Sequence, residues 1–537
     1  MARAKLAAAI VSFLLTAFAF AQDGLAPWPL ERQDRWGTAR AQSGLPLAQL
    51  TTPWIERRIS THALVSHGPS LGPNGIGYFG NWQGFELFKF NYNTGDILGT
   101  FNALHFVGCT PAIVTPNLIY ATTDAPDGHI FGIDTNLMDY NWFKPAMYAT
   151  SPNVGPDGSM VTATGDGRVY RINQAGGIVW ERTGFGTGHG QVVFRRDDSA
   201  VLVANGTKLT CLGYAQGNTI WEKNIGSEAG APGVAPDGTV VMGSQSGTIY
   251  AFDPTNGDIN WTWPTLDQVK APPAFSADGV VYVCGYDRRL YAFRTADGFR
   301  LWSFTGSGRA TTPPVVDVHG RIYFHNQERD IYCVSPAGQQ IWRVNMMAQT
   351  RGPMSIGPDN TLYVGCSDGR EGLAIIRQYA VAASLDQVNV ERGLVLSGGL
   401  PEWLVSDDNY MRFRPGPTFV STEAPVRILL ALTSPRPQIE SFRITLESGA
   451  SSPAVQQWVE AFNFVTNQYE TLDTRQATIV DNTIHIDVTT NATRFCSSTG
   501  GQMRVRIHHK ANQPVFSYPW NSRFDYVRVN VVPKFIP

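Results

Sequence analysis

Charge is scarce in this chain. Of its 537 residues only 16% are Asp, Glu, Lys or Arg, and the formal net charge is −2. Nucleic-acid binders carry a clustered basic footprint, and none is present here. The six cysteines include no adjacent pair and no C-x-x-C-H haem attachment. Phosphate loops, H-E-x-x-H helices and G-x-S-x-G elbows are missing too. Acidic residues are scattered through turns and do not gather into the oxygen-rich cluster that calcium needs. Long apolar runs are confined to Leu6–Phe20. Arg3 and Lys5 precede that run and Ala19-Phe20-Ala21 follows it, so residues 1–21 read as a signal peptide. About 15 apolar residues fall short of a bilayer span, so the mature chain is expected to lack a transmembrane segment. The expected location is periplasmic or extracellular.

What the chain has in plenty is glycine (53), proline (34) and a tryptophan that keeps returning. Trp142, Trp180, Trp221, Trp261, Trp302 and Trp342 follow one another at spacings of 38, 41, 40, 41 and 40. Each closes a run such as Gly247-Thr248-Ile249-Tyr250-Ala251-Phe252, Gly257, Trp261. Each repeat also holds a turn of the Pro156-Asp157-Gly158 or Pro236-Asp237-Gly238 kind, which supplies the positive-φ residue of a tight hairpin. Strand, turn, strand, loop, strand, glycine turn, strand in about 40 residues is a propeller blade.

Eight turn anchors are found. Gly99 takes the tryptophan slot of the first repeat, and the repeat from about Gly352 to Tyr379 stops before reaching one. Thr52-Pro53-Trp54-Ile55-Glu56-Arg57 resembles Ile178-Val179-Trp180-Glu181-Arg182, so an N-terminal strand is expected to complete the last blade and remove an open sheet edge. Residues 22–51 form a polar lead-in, and residues 52–380 are read as an eight-bladed β-propeller closed by the strand around Trp54. Cys211 and Cys333 sit where Ala251 and Ala292 sit in other repeats, while Cys284 and Cys366 end second strands; all read as buried thiols.

From residue 381 the period stops. Strictly alternating runs such as Thr483-Ile484-His485-Ile486-Asp487-Val488 and Met503-Arg504-Val505-Arg506-Ile507 predict a β-sandwich over 381–537, making the fold all-β throughout. His508 and His509 are neighbours on a strand and so face opposite sides, which argues against a shared metal. Trp403 and Trp520 are candidates for a glycan-binding surface or, more simply, for the core.

Ala251, Asp253, Gly257 and Trp261, with Ala292, Gly298 and Trp302, resemble the tryptophan-docking repeat of the pyrroloquinoline-quinone (PQQ) type β-propellers; Arg294 stands where that repeat has Asp. The resemblance covers about 60% of the chain. It is shared by quinoprotein dehydrogenases and by an eight-bladed lipoprotein that assists outer-membrane β-barrel assembly. The dehydrogenase branch implies a calcium held by Glu and Asn, a catalytic Asp and a vicinal disulfide over the quinone. The vicinal cysteines are absent, so no catalytic, cofactor-binding or metal-binding residue is assigned and no cofactor is expected.

The remaining candidate is a mouth. Connections between successive blades carry His67, His189, Lys270, Arg309 and Arg351, each just before a Pro- or Gly-led inner strand. Such a rim could hold an acidic peptide or an anionic glycan. The sequence therefore points to an exported, monomeric, non-enzymatic scaffold that binds a protein at the cell envelope. Secreted glycan recognition is the alternative, and a PQQ-dependent dehydrogenase comes last.

Overall fold

The computed structural model describes residues 26, 28–42, 50–59, 61, 63–185, 192–350, 352–367, 372–379, 381–399, 410–418, 420, 422–434, 437–480, 482–511 and 520–533. The expected signal peptide, His189, Arg351 and Trp403 lie outside them. The chain is all-β, and its repeats build a β-propeller of four-stranded antiparallel sheets. Among the described residues, eight such sheets follow one another from Ser70 to Tyr379. In the last of them the fourth position is taken by Leu50–Ile59, alongside Gly372–Tyr379. Arg58 on that strand donates to the Cys366 sulfur at 3.3 Å and to the Met346 carbonyl at 2.8 Å. No helix among the described residues is long and apolar enough to cross a membrane.

The fifth sheet shows why these residues make these strands. Gly233–Val234 turns into Val240–Met242 through Asp237 and Gly238, with Gly238 at φ 93° and the Asp237 carboxylate accepting from the Thr239 amide. Thr248–Phe252 then turns into Ile259–Pro264 at Gly257, φ 75°. Ala251 lies opposite Trp261, and the register slips immediately after it. The same small-residue-opposite-Trp pair, with the same slip, recurs at Gly132 and Trp142, Cys211 and Trp221, Ala292 and Trp302, and Cys333 and Trp342. Every cysteine is a buried free thiol.

Most of these tryptophans then reach into the next sheet. Trp180 donates from its indole nitrogen to the Tyr214 carbonyl at 2.8 Å, Trp221 to Pro254 at 3.1 Å, Trp261 to Thr295 at 2.8 Å and Trp302 to Pro336 at 2.8 Å. The glycine of that next sheet lies flat under the ring. A Cβ on Gly257 would sit 2.5 Å from Trp221, and one on Gly298 would sit 2.6 Å from Trp261. Glycine is therefore needed twice over, for its left-handed φ and for the contact itself.

One junction divides the job differently. Gly99 occupies the tryptophan slot of the first sheet, and Met138, at φ 49°, occupies the glycine slot of the second. Met138 presses to within 3.0 Å of where a Gly99 Cβ would be. Lys89, paired across from Gly99, donates to the Thr135 carbonyl at 2.8 Å, the position that accepts from indoles elsewhere. Volume comes from one side of this junction and the hydrogen bond from a different residue.

The second unit comprises residues 48–54 and 378–537 and holds a five-stranded and a six-stranded sheet. Strand Val426–Thr433 alternates buried and half-buried residues, as does Val455–Asn463. Ile428 and Val505 of one sheet share a core with Ile444 and Val529 of the other. Trp520, a candidate for a glycan surface from the sequence, is 2% exposed and belongs to this core. His508 pairs with Glu460 at 2.8 Å, whereas His509 is fully buried between Ser522 at 2.8 Å and Gln457 at 2.7 Å.

Two outcomes follow. Gly99→Trp alone should clash with Met138, and Met138→Gly alone should leave a void. Together they should rebuild the common junction, with a favourable coupling on the order of 0.5–3 kcal/mol in a denaturation double-mutant cycle; additive costs would contradict the account. The second outcome concerns pH. Burial brings His325 down to about 4 and His509 down to about 3. Both are neutral when folded, so their contribution is complete above the unfolded value near 6.5 and is lost as pH falls toward the folded values. Stability should drop by up to ~1.4 kcal/mol per pH unit per histidine between about pH 6 and 4. His325→Asn should flatten that slope in a urea titration of the propeller.

Candidate functional site

The lead-in, expected to be a polar loop, is a buried belt around the axis. Its backbone visits the innermost strands in order. Trp28 exchanges hydrogen bonds with Leu71 of the first sheet at 3.0 and 2.6 Å, and the Pro29 carbonyl accepts from Ile113 of the second at 3.0 Å. The Arg35 carbonyl accepts from the Asn153 side chain of the third at 3.0 Å and from the Phe194 amide of the fourth at 2.9 Å. Carbonyls of Trp36, Thr38 and Ala39 accept from Val234, Phe275 and Val316 of the fifth, sixth and seventh at 2.9, 2.9 and 2.8 Å.

Side chains complete the belt. Glu31, Arg32, Gln33 and Arg35 are all buried, in a protein otherwise sparing with charge. Arg35 reaches Asp198 at 3.1 Å, and Arg196 lies over the Trp36 ring at 4.4 Å. The Arg32 guanidinium is folded against Gly37, whose Cβ would lie 2.6 Å from it, and burial brings this arginine down to about 10 despite nearby Glu31 and Asp34. Between the belt and the third and fourth sheets a cavity of about 20 Å³ remains, lined by Arg32, Asp34, Ser151 and Asn153. That is room for about one water. A second pocket, of about 400 Å³, opens beside Arg40, Asp278 and His319 at the hairpin turns of the sixth and seventh sheets.

The mouth predicted from the sequence lies at the other ends of the strands. Connections between sheets and the loops between second and third strands are stitched together there. The Leu64, Phe106, Glu228, Gln268, Arg309 and Gln349 carbonyls each accept from a loop amide of the following sheet. Arg309 is thus at the stitching position itself, Lys270 two residues beyond it and His67 three beyond it. The three do not share one level. Arg309 is exposed, 3.8 Å from Asp267 and above Tyr286. Lys270 is exposed. His67 is half-buried beside Ser66, and burial lowers its pKa even against Glu31 and Asp124, so it adds no charge at neutral pH. His189 and Arg351 lie outside the described residues.

With this geometry in place, comparison with known proteins is informative. A PQQ-repeat family described as outer membrane protein assembly factor BamB matches residues 205–387, about a third of the chain. A europium-containing methanol dehydrogenase superposes with a TM-score of 0.54 at 13% identity, covering 65% of this chain and 92% of its own. Residues 205–387 of the propeller carry a PQQ-type repeat. The quinohaemoprotein alcohol dehydrogenase of Comamonas testosteroni gives 0.54 at 12% identity over 70% of this chain and 84% of its own. The computationally designed Ika8 protein gives 0.52 at 14% over 61% and 99%. At these identities the likeness is one of fold. A search of curated proteins returned no match.

The belt fills the axis beside the inner strands, and the vicinal cysteines of the dehydrogenases are not in the sequence. Among the described residues no group of three His, Cys, Asp or Glu could hold a metal. The residues present do not fit PQQ with calcium. The sequence hint to the belt was the pairing of Trp28 and Trp36 with four charged residues between them, a mixture that suits a fixed buried position better than a loop.

Gly37→Val tests the belt. Gly37 has φ 67° and no space for a side chain, so the substitution should destabilise the propeller by ~2–4 kcal/mol, read from chemical denaturation. An unchanged midpoint would mean that the segment does not occupy this place in solution.

Proposed function

We propose that the mature chain is an exported, non-enzymatic interaction scaffold. Residues 22–51 are its lead-in, and residues 52–380 form an eight-bladed PQQ-like propeller whose last blade is closed by the strand around Trp54. Residues 381–537 form a β-sandwich accessory domain. The observation that carries this reading is the belt, because residues 28–41 fill the axis beside the inner strands with backbone and buried side chains. Function then falls to the loop face, where exposed side chains such as Lys270 and Arg309 are presented. A repeat family described as an assembly factor is in keeping with protein binding at the envelope.

A photo-crosslinking amino acid placed at Gln268, on that face, or at Asp237, on the hairpin-turn face, tests the reading in the native host. A discrete protein adduct from position 268 and none from 237 is expected. Equal labelling from both positions contradicts it, as does dye-linked alcohol oxidation after loading with PQQ and calcium.

A further inference from the structure

The loop face bends its backbone through left-handed φ at several corners, and some blades use glycine there. Gly226 fills the corner two residues after the fourth strand, with φ 72°, and Gly167 and Gly247 fill the one between second and third strands, with φ 77° and 81°. At five of these corners the chain places a large side chain instead. Leu104 (φ 63°) and Met347 (φ 53°) stand where Gly226 stands, and Phe85 (58°), Arg288 (68°) and Arg329 (67°) stand where Gly247 stands. The equivalence is fixed by hydrogen bonding. Ala103 donates to the Phe85 carbonyl, Gly306 to Arg288 and Met346 to Arg329, as Thr265 does to Gly247.

Left-handed backbone is unfavourable for branched and bulky residues, and such strain persists where a side chain is required for something else. Full burial is not that something. Leu104 is 69% exposed, Met347 40% and Phe85 37%. The Asn102 and Asn345 side chains accept from the Leu104 and Met347 amides, at 2.9 and 3.0 Å, holding these corners against the strain. Phe85 stacks within 5.2 Å of Phe106, itself 5.5 Å from Trp82, so Leu104 stands beside a half-exposed aromatic cluster.

The strained corners are sorted by chemistry. Apolar ones fall between the seventh and eighth sheets and on the first, and basic ones on the sixth and seventh. On the basic side two of the acids are engaged, while Glu328 beside Arg329 is exposed. Asp287 accepts from Tyr291, Arg289 and Leu266, and Asp267 faces Arg309. Lys270 and Arg288 remain exposed, with no ion pair among the described residues.

We propose that this crescent of the loop face, from Lys270 and Arg288 round to Leu104, binds an amphipathic acidic segment of a partner protein. Its apolar side chains lie against Met347, Phe85 and Leu104, and its carboxylates lie against Arg288 and Lys270. Charge complementarity selects the acidic partner, and the exposed apolar corners supply the contact area. The proposal rests on the scaffold reading and names the partner class for its loop face.

The probe is a fluorescein-labelled synthetic peptide with Leu and Phe on one helical face and Glu on the other, beside a counterpart carrying Lys for Glu. Anisotropy should show saturable binding of the Glu peptide, at least about tenfold tighter than the Lys peptide at low salt and converging with it as salt rises. The double variant Leu104→Gly with Met347→Gly should weaken binding at least about tenfold, while its thermal midpoint stays level or rises, because glycine relieves both corners. Undiminished binding by the variant overturns the proposal, as does equal affinity for the two peptides or no saturable binding. A lowered midpoint in the variant overturns it as well, since it would make the two residues structural. These outcomes are read on purified protein, so they are separate from the crosslinking result that decides the scaffold reading.

Discussion

A tryptophan of one blade lying flat on a positive-φ glycine of the next is the contact on which the propeller depends. Fully burying or removing so large a ring is worth ~3–5 kcal/mol, and the indole adds a hydrogen bond to a fixed carbonyl. Each contact joins neighbours only, so the ring is a chain of near-identical junctions. Three parts agree at most of these junctions: a small residue opposite the ring, the ring itself, and a glycine beyond it, with Arg171 taking the first place opposite Trp180. Gly132, Trp142 and Gly176 meet that demand with one set of residues and Cys211, Trp221 and Gly257 with another. Where Gly99, Lys89 and Met138 depart from it, they do so together.

A ring of junctions needs its axis filled, and the belt of residues 28–41 meets that need with backbone. Carbonyls of the belt satisfy inner-strand amides that would otherwise point into the channel. Its charged residues are tolerable there because Arg35 has Asp198, and Asp34 accepts from the Thr38 amide at 3.0 Å and from the Thr38 hydroxyl. Two ends of one ring then differ: the hairpin-turn end is bound up with the belt, while the loop end presents side chains to solvent.

Much of this was legible in the sequence, for a physical reason. The junction is made of residues at fixed offsets within a repeat, so Trp221, Trp261 and Gly257 announce themselves by period. The burial of Cys211, Cys284, Cys333 and Cys366 followed from the same register. The belt was not legible, because its contacts run from residue 35 to residues 153 and 194, and no local pattern records so distant a pairing. The mouth was legible only in part. Repeat alignment found the right connections, but His67 is held neutral by burial and Lys270 and Arg309 stand at different levels, both consequences of three-dimensional placement. Strained corners such as Leu104 escaped notice for a simpler reason. In sequence an exposed leucine in left-handed backbone looks like any other leucine.

The central claim is that the belt of residues 28–41 occupies the axis. Amide hydrogen exchange at Phe194, Val234, Phe275 and Val316, the inner-strand donors to belt carbonyls, measures this directly. The account predicts slow exchange at all four, comparable with the neighbouring strand amides, and no change when PQQ and calcium are added. Rapid exchange at these positions in the free protein, or protection that appears only with PQQ and calcium, would contradict it.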